Sequence, residues 1–254
     1  MKYSNFFLIF IFLISINVFA REVGETEITT EDGIEVYQSE KYYLLKKNVK
    51  INSDTFTLQA DNVRIDFNEN LYDITKLNAI GNVNFSSPAY GINGNGENLE
   101  FLVKLEKLQI KGKGSKLYLE DIEMLSDGSI KLNNVNGNFS LDGINSKLIN
   151  SSIFIEARSI DGTFSSNNGK KQIIFLNIID NNIAHVKNSD TEMYARKINF
   201  NYETSIIELI NDVTIIRNGE KIIGDYGTLD TKNNSYKIKS NNQTAVKVII
   251  KNDE

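Results

Sequence analysis

A shift in the phase of an alternating pattern is the feature that most constrains this chain. Between Thr55 and Ile74, apolar residues fall first on one set of alternate positions and then on the other: Phe56, Leu58, Ala60, then Val63, Ile65 and Phe67. Alternation predicts a strand with one buried face, and a shift by one residue would turn every later side chain outward unless the backbone bulges or bends. Asp61 and Asn62, which tolerate unusual backbone angles, lie at the shift. The unit is therefore two short strand segments joined at a small residue.

This hinged unit recurs along the chain. Further copies are at 92–103, 117–124, 153–164, 193–202 and 222–229, and the hinge positions of the six copies are 60, 96, 119, 157, 195 and 224. The hinges are 23 to 38 residues apart, so the repeat has loops of variable length rather than a strict solenoid period. A second element lies between copies, as Asn48-Val49, Asn82-Val83 and Asp212-Val213. Ordinary alternation in any antiparallel protein is the alternative interpretation.

The first twenty residues are predicted to be a secretory signal peptide. Lys2 supplies the positive start, 6–14 is an unbroken apolar run, and Val18 and Ala20 are small residues at −3 and −1 of a cleavage site. Cleavage after Ala20 would leave 234 of the 254 residues and change the formal net charge from −5 to −6. An uncleaved N-terminal anchor is the alternative.

Composition favours a large all-β fold and excludes several kinds of site. The chain has no cysteine, so an exported protein of this size must be held by its core and its hydrogen-bond ladders. The single proline, Pro88, suits many paired strands. A net negative charge argues against nucleic acid as the main partner. With one histidine, zinc sites built from His and Cys are excluded, and we expect no metal and no cofactor.

The rest of the chain is organised around these units. Residues 21–33 are predicted to be a flexible lead-in, and 34–254 one β-domain whose two halves, if there are two, meet near 165–170. The remaining predictions concern single segments: a hairpin over 34–51, a bulge or turn near Glu106, turns with weak strands over 127–146, a strand, turn and strand over 172–187, and a terminal strand over 244–251.

Catalytic chemistry has little support in the sequence. His185 lies in a strand pattern, Ile183 to Val186, with no serine-elbow motif nearby. Glu120 and Asp121 are neighbours, and neighbours in a strand point to opposite faces. A two-carboxylate glycosidase assembled from distant strands stays open, but no motif favours it. We expect no catalytic residues.

The hinged units and the Asn/Asp-Val elements together resemble the LptA/OstA-like family of periplasmic lipopolysaccharide-transport proteins. The resemblance is carried by 58–67 followed by 79–85, and by 194–202 followed by 209–213. The family pattern, Ala-Asp at a strand start and then Gly-Asn-Val, is complete in the first set as Ala60-Asp61 and Gly81-Asn82-Val83. The second set departs from it, with Arg196 after Ala195 and Asn211-Asp212-Val213. Residues 104–189 fit only loosely.

The resemblance implies a fold, a ligand and partners. The fold would be a twisted, partly open β-jellyroll of many antiparallel strands. Its members hold lipopolysaccharide acyl chains and stack head to tail, which implies a homo-oligomer joining an inner-membrane LptC-like anchor to an outer-membrane LptD-like assembly. From the pattern, the expected groove-lining residues are Phe56, Leu58, Val63, Ile65, Phe67, Val83, Phe85, Leu99, Phe101, Ile198, Phe200, Val213 and Ile215. Alternatively, these side chains simply fill a core.

Three other functions are left open by the sequence. The first is an LptC-like component that keeps its N-terminal segment as a membrane anchor. The second is a parallel β-helix that binds or cleaves polysaccharide, which the variable hinge spacing disfavours. The third is a structural envelope protein with a filled, ligand-free core.

Overall fold

A computed structural model describes residues 23–69, 73–167, 170–241 and 245–250. The predicted signal peptide and its cleavage site lie outside the described residues. Two short 3-10 helices, Pro88–Tyr90 and Val103–Leu105, interrupt the strands. The strands are β1 (Glu27–Thr29), β2 (Ile34–Tyr37), β3 (Tyr42–Asn52), β4 (Thr57–Phe67), β5 (Ile74–Ser87), β6 (Ile92–Leu102), β7 (Lys107–Lys111), β8 (Ser115–Leu119), β9 (Ile122–Ser126), β10 (Ser129–Asn133), β11 (Asn138–Ile149), β12 (Ile153–Asn167), β13 (Lys170–Asn188), β14 (Thr191–Asn201), β15 (Ile206–Arg217), β16 (Glu220–Asp230), β17 (Ser235–Lys239) and β18 (Lys247–Ile250).

The eighteen strands of the described residues belong to one antiparallel sheet. Long strands pair in chain order from β3 to β6 and again from β11 to β16. Between these blocks short strands form two separate paths from β6 to β11. One half of β6 pairs with β7, which pairs with β10, which pairs with β11. The other half of β6 pairs with β8, which pairs with β9, which pairs with β11. At each edge two short strands pair with one long strand: β1 and β2 with β3, and β17 and β18 with β16. The fold is an all-β jellyroll, as predicted, and no described pairing has the parallel geometry of a β-helix.

The long strands bend in the middle, and in those that carry the hinged unit the bend coincides with the predicted phase shift. In β4 the pairing with β5 shifts register between Gln59 and Asn62. Leu58 and Ala60 before the bend and Val63 and Ile65 after it are all at most 2% exposed. Both arms of the strand therefore direct their apolar side chains into one interior, and the shift is the mark of a corner.

The Asn/Asp-Val elements form the other side of the corners. Lys47 and Asn48, Gly81 and Asn82, and Asn211 and Asp212 are consecutive pairs with positive φ. Each pair lies at a register shift opposite a hinge, between Lys46 and Val49, Ile80 and Val83, and Ile210 and Val213. Two left-handed residues in succession turn the strand sharply, and Asn, Asp and Gly adopt that conformation most readily.

Two predicted segments differ from the structure. Leu119 is not a hinge within a strand, because it ends β8 and is followed by a two-residue turn, with Glu120 at φ 56°, into β9. Residues 172–187 form one strand, β13, whose register shifts between Ile179 and Ala184 without a chain reversal.

The remaining segment predictions have mixed outcomes. The hairpin over 34–51 is confirmed as β2 and β3, and the turn near Glu106 is confirmed, with Glu106 at φ 49°. Residues 127–146 hold full strands whose inward side chains are buried, not weak ones. Part of the predicted lead-in forms β1. Near the predicted boundary, Ser165 to Asn167 of β12 pair with Lys170 to Gln172 of β13 within the same sheet.

The interior of the first two thirds is packed with aromatic side chains. Phe56, Phe85 and Phe101 form a cluster with ring centroids 5.2 to 6.1 Å apart. Further along, Phe139 and Phe164 stack at 4.3 Å. Rings at these separations contribute beyond the area they bury, and they fill the space between the arms where they lie.

Candidate functional site

The bends divide the sheet into two arms, which are the halves of the strands on either side of the corners. A cavity of about 760 Å³ opens between these arms in the C-terminal third. It is formed by strands β12 to β15, which are bent like the rest and carry mainly aliphatic residues towards the cavity. The apolar side chains that line it are Ile153, Ile173, Leu176, Ile178, Val186, Ile198, Phe200 and Ile207. Leu176, Ile178, Val186 and Ile198 are at most 3% exposed, so the cavity continues the hydrophobic core.

The rim of the cavity is polar. The two ends of the bent strand β13, at Lys171 and at Asn188, both lie on it, because the corner brings the strand ends to the same opening. The other polar lining residues are Asn150, Ser152, Gln172, Tyr202, Ser205 and Thr231. An apolar interior with a polar rim matches an amphiphile better than it matches a wholly polar or a wholly apolar ligand.

A contact between distant turns borders the opening on the side of the filled core. The backbone N–H of Lys171 donates to Glu120 Oε2 at 3.1 Å, and Lys171 Nζ donates to Asn134 Oδ1 at 2.9 Å. These bonds join the start of β13 to the β8–β9 turn and to the β10–β11 turn. The space between the arms is thus bridged at this point.

Of the thirteen residues predicted to line a groove, two line this cavity. Ile198 and Phe200 are on β14 and face it. The other eleven are at most 7% exposed and lie in the interior outside the cavity lining: Phe56, Leu58, Val63, Ile65, Phe67, Val83, Phe85, Leu99, Phe101, Val213 and Ile215. Leu58 and Phe85 line a separate pocket of about 450 Å³. The sequence pattern therefore identified buried positions but not which of them line the large cavity.

Six apolar lining residues were not predicted. Ile153 lies in a recognised hinged unit, and Ile173, Leu176 and Ile178 lie in the apolar run that was assigned to buried strands. The alternation of apolar and polar residues in these segments indicates which side chains face the interior. The other two lining residues that were not predicted are Val186 and Ile207.

The outer face carries the single histidine. The ring of His185 stacks on Tyr194 at 4.5 Å, and its Nε2 is 3.7 Å from Glu192 Oε2. Hydrogen bonds from Tyr194 and Lys187 lower the pKa of Glu192. The described residues contain no group of three or more acidic, His or Cys side chains able to hold a metal ion.

The comparisons with known proteins concern mainly the N-terminal half. Residues 29–136 match the family model described as LptA/(LptD N-terminal domain) LPS transport protein. Over this segment the resemblance to the LptA/OstA-like family is confirmed. The matched segment comprises the strands up to β10, whereas the cavity-lining residues, 150 to 231, follow it.

A solved structure shows a much weaker likeness. It is titled "Crystal structure of LptH, the LptA homologous periplasmic component of the conserved lipopolysaccharide transport device from Pseudomonas aeruginosa". The alignment has a TM-score of 0.24 and 8% identity, covering 90% of this chain and 96% of that chain. A likeness this weak indicates neither a shared fold nor a shared function. No curated protein matches the sequence. In the part of the chain that the structure describes, no helix is long and apolar enough to cross a membrane.

Proposed function

We propose that this protein is a non-enzymatic periplasmic carrier that holds acyl chains of lipopolysaccharide between the arms of its jellyroll. The observation that carries the proposal is the 760 Å³ cavity with its apolar interior and polar rim. Its volume lies within the roughly 300–1,000 Å³ of typical small-ligand sites. A filled interior would instead have favoured a purely structural protein.

The energetics suit a carrier. Each buried methylene contributes about 0.8 kcal/mol, so a twelve-carbon acyl chain would gain roughly 8–9 kcal/mol before the costs of ordering are subtracted. Such a gain holds a lipid out of water, and the lipid can still move to a neighbouring protein whose groove offers similar contacts. The inner wall of the cavity supplies contacts of this kind, because its side chains are apolar and mostly aliphatic.

The match to the family model supports lipopolysaccharide as the ligand, and the predicted signal peptide supports a periplasmic location. The matching family model is described as that of an LPS transport protein, and the predicted signal peptide would export the chain. We therefore propose lipopolysaccharide as the lipid, an inner-membrane LptC-like anchor and an outer-membrane LptD-like assembly as partners, and head-to-tail copies of this chain between them.

The second candidate function is the membrane-anchored, LptC-like component of the same pathway. The apolar run over 6–14 favours it if the N-terminal segment is kept. Mass spectrometry of the mature N-terminus separates the two: a chain beginning at Arg21 is the carrier, and a chain that retains 1–20 is the anchored form.

The carrier proposal is tested by filling the cavity. Ile173→Trp adds a large side chain at the cavity wall, whereas Phe175→Trp, two residues further along the same strand, alters a side chain that is 43% exposed. Each protein is purified from a membrane-containing extract, and co-purifying lipopolysaccharide is measured by mass spectrometry. We expect lipid with the wild type and with Phe175→Trp, and a large loss with Ile173→Trp. Equal lipid in all three, or none in the wild type, would overturn the proposal.

A further inference from the structure

A second, smaller cavity adjoins the large one towards the C-terminal edge of the sheet. Its volume is about 200 Å³, and Asn188, Ile207 and Thr231 line both cavities. Its remaining wall comes from the turns that follow β13 and β16, from residues of β14, β16 and β17, and from Arg217 at the end of β15. A ligand whose tail fills the large cavity would therefore extend towards Arg217.

Arg217 lines this cavity, and its guanidinium has no partner among the residues that the structure describes. Its Nε is buried and has no hydrogen-bond acceptor among the described residues. No ion pair or hydrogen bond joins its guanidinium to any group in the part of the chain that the structure describes. A buried donor without a partner is costly, and native structures usually satisfy such groups with a protein acceptor, water or an ion. Because no described protein group accepts from the guanidinium, an acceptor for it has to come from another molecule in the cavity.

The carboxylates that share this lining with Arg217 or pair with it across the strand make other hydrogen bonds. Asp230 accepts hydrogen bonds from the backbone of Lys232 and Asn233 and from the Asn233 side chain, at 2.7 to 3.0 Å, and the backbone bond from Asn233 is the main cause of its lowered pKa. Glu220, the cross-strand neighbour of Arg217, accepts from the Tyr236 hydroxyl at 3.3 Å. Asp190 lies beside the Thr191 hydroxyl at 3.4 Å. The negative charges of Asp190 and Asp230 oppose an anion in this cavity and keep its expected affinity modest.

We infer that Arg217 binds the anionic headgroup, a phosphate or carboxylate, of an amphiphile whose acyl chain lies in the large cavity. The inference rests on the proposed carrier function and adds a specificity to it. A guanidinium presents a planar fork of N–H donors that matches the oxygens of these two groups. The apolar wall holds the chain, and Arg217 sets which end of the lipid lies towards the C-terminal edge.

The test compares ligands that share a tail and differ in charge. Dodecyl phosphate, dodecyl maltoside and inorganic phosphate are titrated calorimetrically, with the two detergents kept below micelle formation, into wild type, Arg217→Gln, Arg217→Lys and Arg158→Gln. Arg158 is exposed at the corner of β12, so its variant matches the loss of one positive charge away from both cavities. Arg217→Lys keeps the charge and removes the fork. Thermal unfolding confirms that each variant is folded.

We expect the wild type and Arg158→Gln to bind dodecyl phosphate about tenfold more tightly than dodecyl maltoside. Arg217→Gln should remove that difference by weakening only the phosphate ligand, and Arg217→Lys should retain part of it. If both dodecyl ligands bind wild type and Arg217→Gln equally, the headgroup site is wrong while the carrier proposal stands. If neither binds the wild type, both fail. If inorganic phosphate binds at Arg217 as tightly as dodecyl phosphate, the site takes a free anion and the headgroup assignment is wrong.

Discussion

At the scale of single residues, a glycine on one strand makes room for a large aromatic ring on the next strand. Gly162 on β12 lies against Phe139 of β11: a Cβ added to it would be 2.3 Å from Phe139 Cζ and 2.8 Å from the Phe175 carbonyl oxygen. Neither neighbour can retreat easily, because Phe139 stacks on Phe164 and the carbonyl belongs to the sheet. The absence of a side chain at Gly162 therefore determines how closely this region packs.

Gly162→Ala is expected to destabilise the protein by about 1–3 kcal/mol, as overpacking of a filled core usually does. The measurement is the free energy of unfolding from urea denaturation. Lys131→Ala, at an exposed position on β10, is the control and should change stability by less than about 0.5 kcal/mol. Equal stability of the two variants would show that the ring of Phe139 can move aside at little cost.

Single side chains also discriminate the open from the filled interior. Phe200 lines the large cavity, whereas Phe67 is 7% exposed and packs near Tyr43, with ring centroids 5.2 Å apart. A photo-crosslinking residue at 200 should capture co-purified lipid at least several times more efficiently than one at 67. Mass spectrometry of the crosslinked protein measures the yield. Similar yields at both positions would mean that the N-terminal interior opens to lipid as well.

At the scale of elements, the repeated unit is a corner made by two adjacent strands. The small residue of one strand, such as Ala60, lies opposite two left-handed residues of the next, and side chains bridge the bend. Asn82 Nδ2 donates to Asp61 at 2.9 Å, and Arg196 pairs with Asp212. These contacts are exposed, so each contributes little, and the backbone conformation is the main requirement.

Asn211, at φ 64°, is an exposed test of that requirement. Asn211→Val is expected to cost about 1–2 kcal/mol, because a β-branched residue strains in the left-handed region. Asn211→Gly should be neutral or nearly so, since glycine adopts this region freely. Chemical denaturation of both variants measures the difference. If valine and glycine behave alike, the corner bends without needing a positive φ at 211.

The sequence predicted the corners better than it predicted where chains reverse. A gap of two residues between apolar positions marked the bends at Ala60 and Ala195, and the same gap after Leu119 is a hairpin turn. Periodicity cannot distinguish a bend from a hairpin turn, because two residues between apolar positions can either bend one strand or connect two strands. Conversely, the sequence predicted a strand, a turn and a strand over 172–187, whereas β13 runs through and only its register with β14 shifts, between Ile179 and Ala184.

At the scale of the whole molecule, the position of the cavity depends on side-chain volume, which the alternation of apolar and polar residues does not encode. Inward-facing residues alternate identically whether or not they meet a partner from the opposite arm. Phenylalanines at 56, 85 and 101 span the gap between arms, and the isoleucines and valine at 178, 186 and 198 leave it open. Side-chain volume summed across the two arms, rather than the pattern along one strand, decides where a ligand fits.

The two edges of the sheet bear on self-association. Every residue of β2 and of β18 is exposed, and the apolar ones include Ile34 at 48%, Val248 at 54% and Ile250 at 64%. Edge strands of this kind pair readily with another chain, and two different edges joined head to tail extend without closing. The proposed stacking of copies would therefore use β18 of one copy and β2 of the next.

Charges on the C-terminal edge should weaken that stacking while the fold is kept. The double variant Val248→Lys/Ile250→Lys, like truncation before Thr244, is expected to weaken self-association about tenfold or more, since lysine on an edge strand blocks pairing. Sedimentation velocity over a range of concentrations measures the association. The matched control is Ile179→Lys/Ile183→Lys, whose side chains are 40% and 42% exposed at the β13 register shift, away from both edges. Since both pairs add two charges, a loss confined to the edge variant assigns the contact to β18. Unchanged association of the edge variant, or an equal loss in both, would remove β18 from the contact.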